Sequence, residues 1–490
     1  MKKILTILSL IVFLGFVASI MYVLEIPPFK GSAQKPATQE DTEKQQLPEF
    51  LSEEKVSRTK TYDEHLKRGK LLEDNGFPSL AIAEYQEANK LDPNNPEPLL
   101  NIGRVHFNNQ EFESAKASFE AVLAVKSDSL QAKVYLGKAL LQDRKIPEAK
   151  EAFNKISSET QEVKYYQGII AAFFEDYDNS KKLLNRSIEI GGNDDLKSKA
   201  ENFLNAFREF DFNQGGSPIH LKSLLSRSYD QTGEYQMAIP LLFEVIKEKK
   251  DYRDAWILLG YAYLNLNKYP DAIEALEKAK AIDPQKAETF FYLGLAYNGL
   301  NDLTKAAAYL EQAKSLGFQP VIQIEQKLGE IYLQIKDYQK AANSYQNVVS
   351  LNDDQINYYI RPIWLYIEKL NQPDKALALA NQTLTHHAGE AMAYNLIAWA
   401  QIANNDMNEA QQSLQKALLI DPNLDAIYLS YGRLYEKKGA TQTALSYYAK
   451  AHQMGQGNGI SNTAAQQYNQ LIGKTKNLSG SLQADTLTNN

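Results

Sequence analysis

The chain has 490 residues, a length that ordinarily accommodates about three domains. Lysine plus arginine number 53 and aspartate plus glutamate number 60, which gives a formal net charge of -7. This mild, evenly spread acidity argues against a dedicated nucleic-acid binder. The absence of cysteine excludes disulfides, thiolate metal sites, iron–sulfur clusters and cysteine nucleophiles, and six histidines leave little material for histidine-based metal sites.

Residues 4–24 form an uncharged apolar segment that follows Lys2 and Lys3. As a helix this segment would span roughly 30 Å, the thickness of a bilayer core, so residues 1–25 are predicted to be an uncleaved membrane anchor. A cleaved signal peptide is the alternative, with an imperfect cleavage site at residues 17–19, but apolar residues continue past that site. A buried core helix is the third interpretation.

The orientation of this anchor depends on its flanking lysines. Lys2 and Lys3 precede the segment and Lys30 and Lys35 follow it, so the lysine count alone does not decide. A short basic tail ahead of a very long remainder favours an N-terminus inside and the bulk of the chain outside, and the opening resembles that of bacterial envelope proteins. We expect a cytoplasmic-membrane protein with its repeats extracytoplasmic; a secreted or periplasmic protein is the alternative.

Residues 26–60 are rich in proline and polar side chains. They bury too little apolar area to offset the entropy of ordering, and are predicted to be a flexible linker. A polar helix over the last third of this segment is an alternative.

From Tyr62 onward the chain repeats itself, most clearly over Arg253–Lys286. The residues at positions 4, 7, 8, 11, 20, 24, 27 and 32 of that unit are Trp256, Leu259, Gly260, Tyr263, Ala272, Leu276, Ala279 and Pro284. This pattern resembles the tetratricopeptide repeat, and it recurs along the chain. We count about eleven units over residues 62–458, of which those beginning near residues 161, 219 and 357 are degenerate.

The resemblance implies an all-α solenoid of stacked helix–turn–helix units. Small residues at positions 8 and 20 let the two helices approach, and large residues at positions 4, 7, 11 and 24 fill the space between them. An extra helix and a loop are predicted over residues 195–218, between an N-terminal array at 62–194 and a C-terminal array at 219–458. Residues 459–473 are expected to form a capping helix, and residues 474–490 a disordered tail.

The sequence contains no phosphate-binding loop, zinc-protease or serine-hydrolase motif. His386 and His387 are adjacent, so on a helix they would point about 100° apart and could not hold one metal. We interpret them as a solvated helix end. The sequence predicts no catalytic residue, no metal, no cofactor and no enzyme activity.

In the family that the repeats resemble, the first helix of each unit lines a concave face, which implies that positions 2, 5, 9, 12 and 13 point into a groove. Position 9 then forms a basic ladder in the first three units, made of Lys70, Arg104 and Lys138, and later units have Arg227 and Arg433 at the same position. Such a ladder would attract acidic peptide segments or a terminal carboxylate, although ordinary solvated charges are the alternative. The clamp with which some family members hold a chaperone's terminal carboxylate is incomplete, because Leu66 stands where its first lysine is expected.

The later part of this groove is predicted to be aromatic and rich in amides. Its candidate residues are Tyr261, Asn265, Phe291, Asn298, Arg361 and Trp399. Rings would supply contact area and amides would bond to a peptide backbone. Packing against neighbouring helices is the alternative.

These observations predict a membrane-tethered scaffold or adaptor of the cell envelope, which docks peptides or partner-protein surfaces on its concave face. The lipid bilayer is an expected partner through residues 4–24, whereas nucleic acid and metal are not expected. A non-catalytic regulatory subunit of an envelope enzyme complex is the alternative.

Overall fold

The computed structural model describes residues 61–212 and 216–487 of the chain. The predicted anchor at 1–25 and the predicted linker at 26–60 lie outside these residues. Every regular element in the described ranges is a helix. None of the helices in these ranges combines the length and the apolar character that crossing a bilayer requires.

The chain divides into two compact units, with the boundary between Asn301 and Asp302. The helices of the first unit are α1 (Tyr62–Asp74), α2 (Pro78–Leu91), α3 (Glu97–Asn108), α4 (Phe112–Val125), α5 (Leu130–Gln142), α6 (Ile146–Asn154), α7 (Gln161–Phe173), α8 (Tyr177–Ile190), α9 (Asp194–Phe212), α10 (Pro218–Thr232), α11 (Tyr235–Glu248), α12 (Arg253–Asn265), α13 (Tyr269–Ile282) and α14 (Ala287–Gly299). Helices that follow one another in sequence pack side by side.

The second unit continues the same alternation of helices and short turns. Its helices are α15 (Leu303–Ser315), α16 (Val321–Gln334), α17 (Tyr338–Leu351), α18 (Asn357–Glu368), α19 (Pro373–Gln382), α20 (Leu384–His387), α21 (Ala391–Ala403), α22 (Met407–Ile420), α23 (Asp425–Lys437), α24 (Thr441–Gly455) and α25 (Gly459–Leu487). The last helix, α25, is longer than the capping helix expected at 459–473. It extends to Leu487, through residues that we expected to be disordered.

Many first helices end in a turn that contains one residue with a left-handed backbone. Gly76 has a φ of 80° and Asn267 has a φ of 57°. Glycine and asparagine adopt this conformation at low cost, and it lets the following N–H return to the helix. The Phe77 N–H accordingly donates to the Leu72 carbonyl at 2.9 Å. Pro78 then begins α2, where a missing N–H costs nothing.

The two helices of a regular repeat approach closely where position 8 is glycine. A Cβ added to Gly103 would lie 2.5 Å from Cε1 of Phe119, and one added to Gly137 would lie 2.4 Å from Cε2 of Phe153. Both rings are fully buried. The contact of a small residue at position 8 with a large one at position 24 therefore sets the spacing of these helices.

Helix α9 occupies the segment where an extra helix was predicted. It packs against α8 and α10. Helix α10 also contacts α7, where the Tyr229 hydroxyl donates a hydrogen bond to the Ile169 carbonyl at 2.5 Å. A continuous hydrophobic core runs through this part of the first unit, from Val134 to Ala275. The first helices of the repeats on either side of the insertion are therefore still in contact.

Candidate protein-binding face

The predicted binding residues all lie on first helices of repeats. We call the residues at positions 2, 5, 9, 12 and 13 of these helices the first-helix face. In the first unit it carries Lys70 (α1), Arg104 (α3), Lys138 (α5), Arg227 (α10), Tyr261 and Asn265 (α12), and Phe291 and Asn298 (α14). In the second unit it carries Arg361 (α18) and Trp399 (α21).

Most members of the basic ladder meet a carboxylate of a neighbouring helix. The Arg104 guanidinium lies 3.8 Å from Glu73, and the Lys138 ammonium lies 3.0 Å from Glu162. Lys70 is exposed on α1. Because two of the first three positive charges are compensated at close range, the ladder carries less positive potential than its sequence suggests.

Lys138 is also held by aromatic rings. Its ammonium lies 5.0 Å from the ring centre of Tyr135 and 5.6 Å from that of Tyr166. Arg227, which a later unit has at the same position, pairs with Glu209 of α9 at 2.5 Å. A partner carboxylate must therefore displace an existing contact to reach either cation.

A cluster of half-buried rings lies around Tyr261, which is at position 9 of α12 and so on the first-helix face; Tyr292 of α14 and Tyr235 of the second helix α11 are outside the positions that define this face. The rings of Tyr261 and Tyr292 lie 5.3 Å apart, and those of Tyr235 and Tyr261 lie 6.1 Å apart. Phe291, in contrast, is buried and contributes to packing. The Asn265 side-chain amide donates to the Tyr261 carbonyl at 2.9 Å, within its own helix. The rings of Tyr235, Tyr261 and Tyr292 thus supply most of the aromatic surface here.

In the second unit the predicted tryptophan is covered by a cation. The Arg433 guanidinium lies 4.6 Å from the centre of the Trp399 ring and 3.8 Å from Glu368. Arg361 is exposed on α18. The structure therefore places Arg361 on open surface, whereas the Trp399 ring is stacked against Arg433, which also forms an ion pair with Glu368.

Asp230 is a residue of the first-helix face that the sequence analysis did not select. It lies in the last turn of α10 and is 2% exposed. Both of its carboxylate oxygens are buried and find no hydrogen-bond partner among the described residues. Burial raises the pKa of this carboxyl well above its usual range. Its position, 12 in the repeat that begins at residue 219, was the available signal.

Glu234 is a second buried acid in the turn after α10. It is 8% exposed and accepts a hydrogen bond from the Gln142 side chain at 3.4 Å. Burial raises its pKa to about 7, against the opposing effect of the positive charges on Lys199 and Lys138. This carboxyl therefore titrates near neutral pH.

The adjacent histidines differ from the solvated helix end that we expected. His387 is buried, and its ring nitrogens contact the Glu390 carboxylate at 2.7 Å and the Asp353 carbonyl at 3.0 Å. His386 is exposed, and together with Asp353 and Asp354 it brings three possible metal-ligand atoms within 4.8 Å of one another. Exposed groups of this kind are common surface features, and His386 already contacts Asp353 at 3.2 Å.

Several solved structures of repeat proteins are similar to this chain. The crystal structure of YrrB, a tetratricopeptide-repeat protein with an unusual peptide-binding site, is 20% identical with a TM-score of 0.32, and the match covers 40% of this chain and 97% of YrrB. A tetratricopeptide repeat protein from Parabacteroides merdae is 15% identical with a TM-score of 0.28, covering 56% and 98% of the two chains. Yeast Tom70 is 13% identical with a TM-score of 0.27, covering 88% and 99%. No curated protein matches the chain significantly.

Family models of the tetratricopeptide repeat match both units of the chain. The matched residues are 79–110, 100–160, 231–293, 287–316, 326–355 and 391–424. They include the helices that carry Arg104, Lys138, Tyr261 and Trp399. Over these residues the chain is therefore built from tetratricopeptide repeats.

Proposed function

We propose that the chain is a scaffold that binds peptides or partner-protein surfaces along its first-helix face. Tetratricopeptide repeats in both units support a protein partner. The observation that carries the proposal is a pair of half-buried rings on neighbouring first helices: Tyr261 is on the first-helix face, and the ring of Tyr292 lies 5.3 Å from it. Half-buried tyrosines supply large contact areas and still offer a polar hydroxyl, which is typical of protein interfaces.

The amides and cations of the same face would set the specificity of this contact. Asn298 is half-buried on the helix that carries Tyr292, where its amide can bond to a peptide backbone. Arg104 and Lys138 of the ladder already form ion pairs, so a partner carboxylate that binds either one gains only the difference in free energy between the new ion pair and the old one. We therefore assign the ladder to selectivity and the tyrosines to affinity.

Alanine substitutions test this assignment in the full chain. Tyr292→Ala is expected to weaken partner recovery about tenfold or more, as truncation of an interface tyrosine commonly does. Phe243→Ala is the matched control, because Phe243 is an exposed ring on the second helix α11. If both variants keep their helix content and recover equally less of the partner, the proposal that the partner binds along the first-helix face is contradicted.

We also propose that residues 4–24 tether the scaffold to a membrane of the cell envelope. Their uncharged apolar sequence supports this proposal. Tethering confines the scaffold to a thin layer and so raises its effective concentration for partners in the same membrane. Membrane fractionation with intact-mass measurement tests it: the full-length mass in the membrane fraction is expected, and a mature chain that starts near Ile20 would refute the anchor.

On this proposal the scaffold performs no chemistry itself, so any activity of its complex comes from a partner. The tetratricopeptide repeats of the chain support this proposal, because such repeats bury their cores by stacking and present the remaining side chains to partner proteins. The purified chain assayed alone for hydrolysis or group transfer is expected to show no turnover. Turnover that persists through repeated purification would require a different function.

A further inference from the structure

A cavity of about 290 Å³ opens on the surface of the first unit, beside the extra helix α9. We call it the α9 cavity. Its lining residues belong to α8, α9, α10 and the turn before α8, and none of them is at a position that defines the first-helix face. Ligand cavities in proteins begin at about 300 Å³. The α9 cavity is therefore large enough for one long side chain and too small for a folded segment.

The floor of the cavity is apolar and mostly aromatic. Phe207 of α9 and Leu221 of α10 are buried there, and Tyr177 of α8 and Phe210 of α9 are half-buried. The rings of Tyr177 and Phe207 meet edge to face, with their centres 5.9 Å apart. Apolar atoms of a ligand that cover this floor would leave water, which favours their binding.

The rim of the cavity carries an excess of negative charge. Lys181 lines it, and Lys222, just outside it, pairs with one of the rim carboxylates at 2.7 Å. Four carboxylates against these two lysines leave an excess of two negative charges. A concave surface with an excess of one sign focuses the electric field and attracts the opposite charge. The exposed carboxylates of the rim are Glu175, Asp176, Asp178 and Asp211.

The chain's own Lys181 shows how a cation can lie at this cavity. Its ammonium is 5.3 Å from the centre of the Phe207 ring and 3.5 Å from the Asp211 carboxylate. The side chain of Asp211 is 63% exposed, so water competes with this ion pair and the contact is weak. Asp178, three residues earlier on α8, is exposed and forms no ion pair with a described residue. The cavity therefore has both an aromatic surface and carboxylates that an incoming cation can reach.

We propose that the α9 cavity binds a lysine or arginine side chain of a partner protein. The aliphatic stem of that side chain covers the aromatic floor, and its charged end reaches Asp178 and Asp211 on the rim. An apolar side chain would leave the rim without a counter-charge, and an acidic one would be repelled by it. This inference goes beyond the proposed function, because the cavity is a second contact surface that does not depend on binding along the first-helix face.

Random peptides displayed on phage provide a probe that does not require a known partner. The library is first depleted on the full chain that carries Asp178→Asn and Asp211→Asn, and the remaining phage are selected on the wild-type full chain. The recovered peptides are expected to share lysine or arginine at one fixed position. Both substituted residues are exposed, so the variant should keep the helix content and the urea midpoint of the wild type.

The affinity of one selected peptide tests the contact itself. Replacing its fixed basic residue by glutamine is expected to weaken binding to the wild-type chain about tenfold or more, and binding to the variant with both asparagines less than about twofold. The matched control, Glu151→Gln with Glu248→Gln, removes two charges from exposed positions on α6 and α11. It should bind the peptide within about twofold of the wild type.

Lys181→Ala is expected to have the opposite effect. It frees the Phe207 ring and the Asp211 carboxylate for the incoming cation, so the peptide should bind about threefold more tightly or better. Lys182→Ala is the matched control, because Lys182 is the next residue of α8, is exposed and does not line the cavity. An equal gain in both variants would mean that the peptide responds only to net charge, and would contradict binding in the cavity.

The remaining outcomes separate the cavity from the first-helix face. A peptide bound in the cavity should bind Tyr292→Ala within about twofold of the wild type, because distant sites act independently. Peptides that lose their binding in Tyr292→Ala, that share no basic residue, or that do not survive the depletion would overturn the cavity and leave the proposed function intact. Failure of Tyr292→Ala to reduce partner recovery would count against the proposed function and not against the cavity.

Discussion

The regular repeats at the start of the first unit and the repeat that follows the extra helix solve the same packing problem with different residues. In the regular repeats position 8 is glycine, and Gly103 lies directly against the fully buried ring of Phe119. In the repeat that begins at residue 219, position 8 is Ser226, and the same helix and its turn bury Asp230 and Glu234. One core is apolar throughout, and the other contains ionisable groups.

The difference shows what the insertion of α9 does to the stack. In the regular repeats a first helix packs against its neighbours in sequence and against the first helix of the adjacent repeat, as α12 does with α14. After α9, helix α10 also meets α7, and the Tyr229 hydroxyl bonds to the Ile169 carbonyl. Helix α10 and its following turn carry buried polar side chains, among them Asp230 and Glu234. Among the described residues of the first unit, the buried carboxyl groups therefore lie where the repeat pattern is interrupted, and the following predictions test that contrast.

The largest expected effect is in the regular core. Gly103→Leu would drive a side chain into the Phe119 ring, which is fully buried and cannot move aside. We expect a loss of about 3 kcal/mol or more in the free energy of unfolding of the first unit. Urea unfolding followed by circular dichroism measures it. Gly389→Ala is the control, because no atom lies within 4 Å of its added Cβ, and an equal loss there would remove the packing argument.

The next effect is the pH dependence contributed by Glu234. Its pKa is about 7 in the folded chain against 4.5 for the free side chain, so the folded state holds the proton more tightly. Stability from this group is therefore greatest below pH 4.5 and falls as the pH rises to 7, by at most about 3 kcal/mol. Glu234→Gln should remove this slope, which is obtained as the difference between the urea midpoints of variant and wild type at each pH. A constant difference between pH 4.5 and 7 would show that the carboxyl is not perturbed.

A smaller effect is expected at the best-held member of the ladder. Lys138 is 22% exposed in its side chain, pairs with Glu162 and lies over two tyrosine rings. Lys138→Met keeps the aliphatic stem and should cost about 1 kcal/mol. Urea midpoints at low and high salt measure it, since only the ion-pair part is screened. A gain in stability would mean that the ammonium is not held by these contacts.

The smallest effect is expected at Arg104, whose guanidinium lies 3.8 Å from Glu73 and is 38% exposed. Arg104→Met should change the stability by no more than about 0.5 kcal/mol. The same urea titration applies. If Arg104→Met loses as much stability as Lys138→Met, the exposure of a ladder residue does not determine how much its contacts contribute to stability.

The sequence was sufficient for the features that depend on local periodicity. The 34-residue pattern predicts the helix pairs, and position 8 predicts the contact between Gly103 and Phe119. It did not predict which charges are compensated, because Glu162 and Glu209 belong to helices whose approach to Lys138 and Arg227 depends on how the repeats stack. Charge counting along one face therefore overstated the positive potential of the ladder.

Burial of individual polar groups was the other feature that the pattern did not reveal. Asp230 occupies a groove position by sequence, but in the structure it is buried. His387 was expected to be solvated, and it is buried because it bridges Glu390 and the Asp353 carbonyl across a turn. Both outcomes depend on contacts between segments that are distant in sequence, for which a repeat pattern has no signal.

Site-directed photocrosslinking tests the central claim most directly. A photoreactive phenylalanine is placed either at Asn298, on the first-helix face of α14, or at Phe243, on the second helix α11, and the full chain is irradiated in intact cells. Mass spectrometry of the adducts should find the same partner segment crosslinked from position 298 and not from position 243. Adducts formed equally from both positions, or only from position 243, would contradict binding along the first helices.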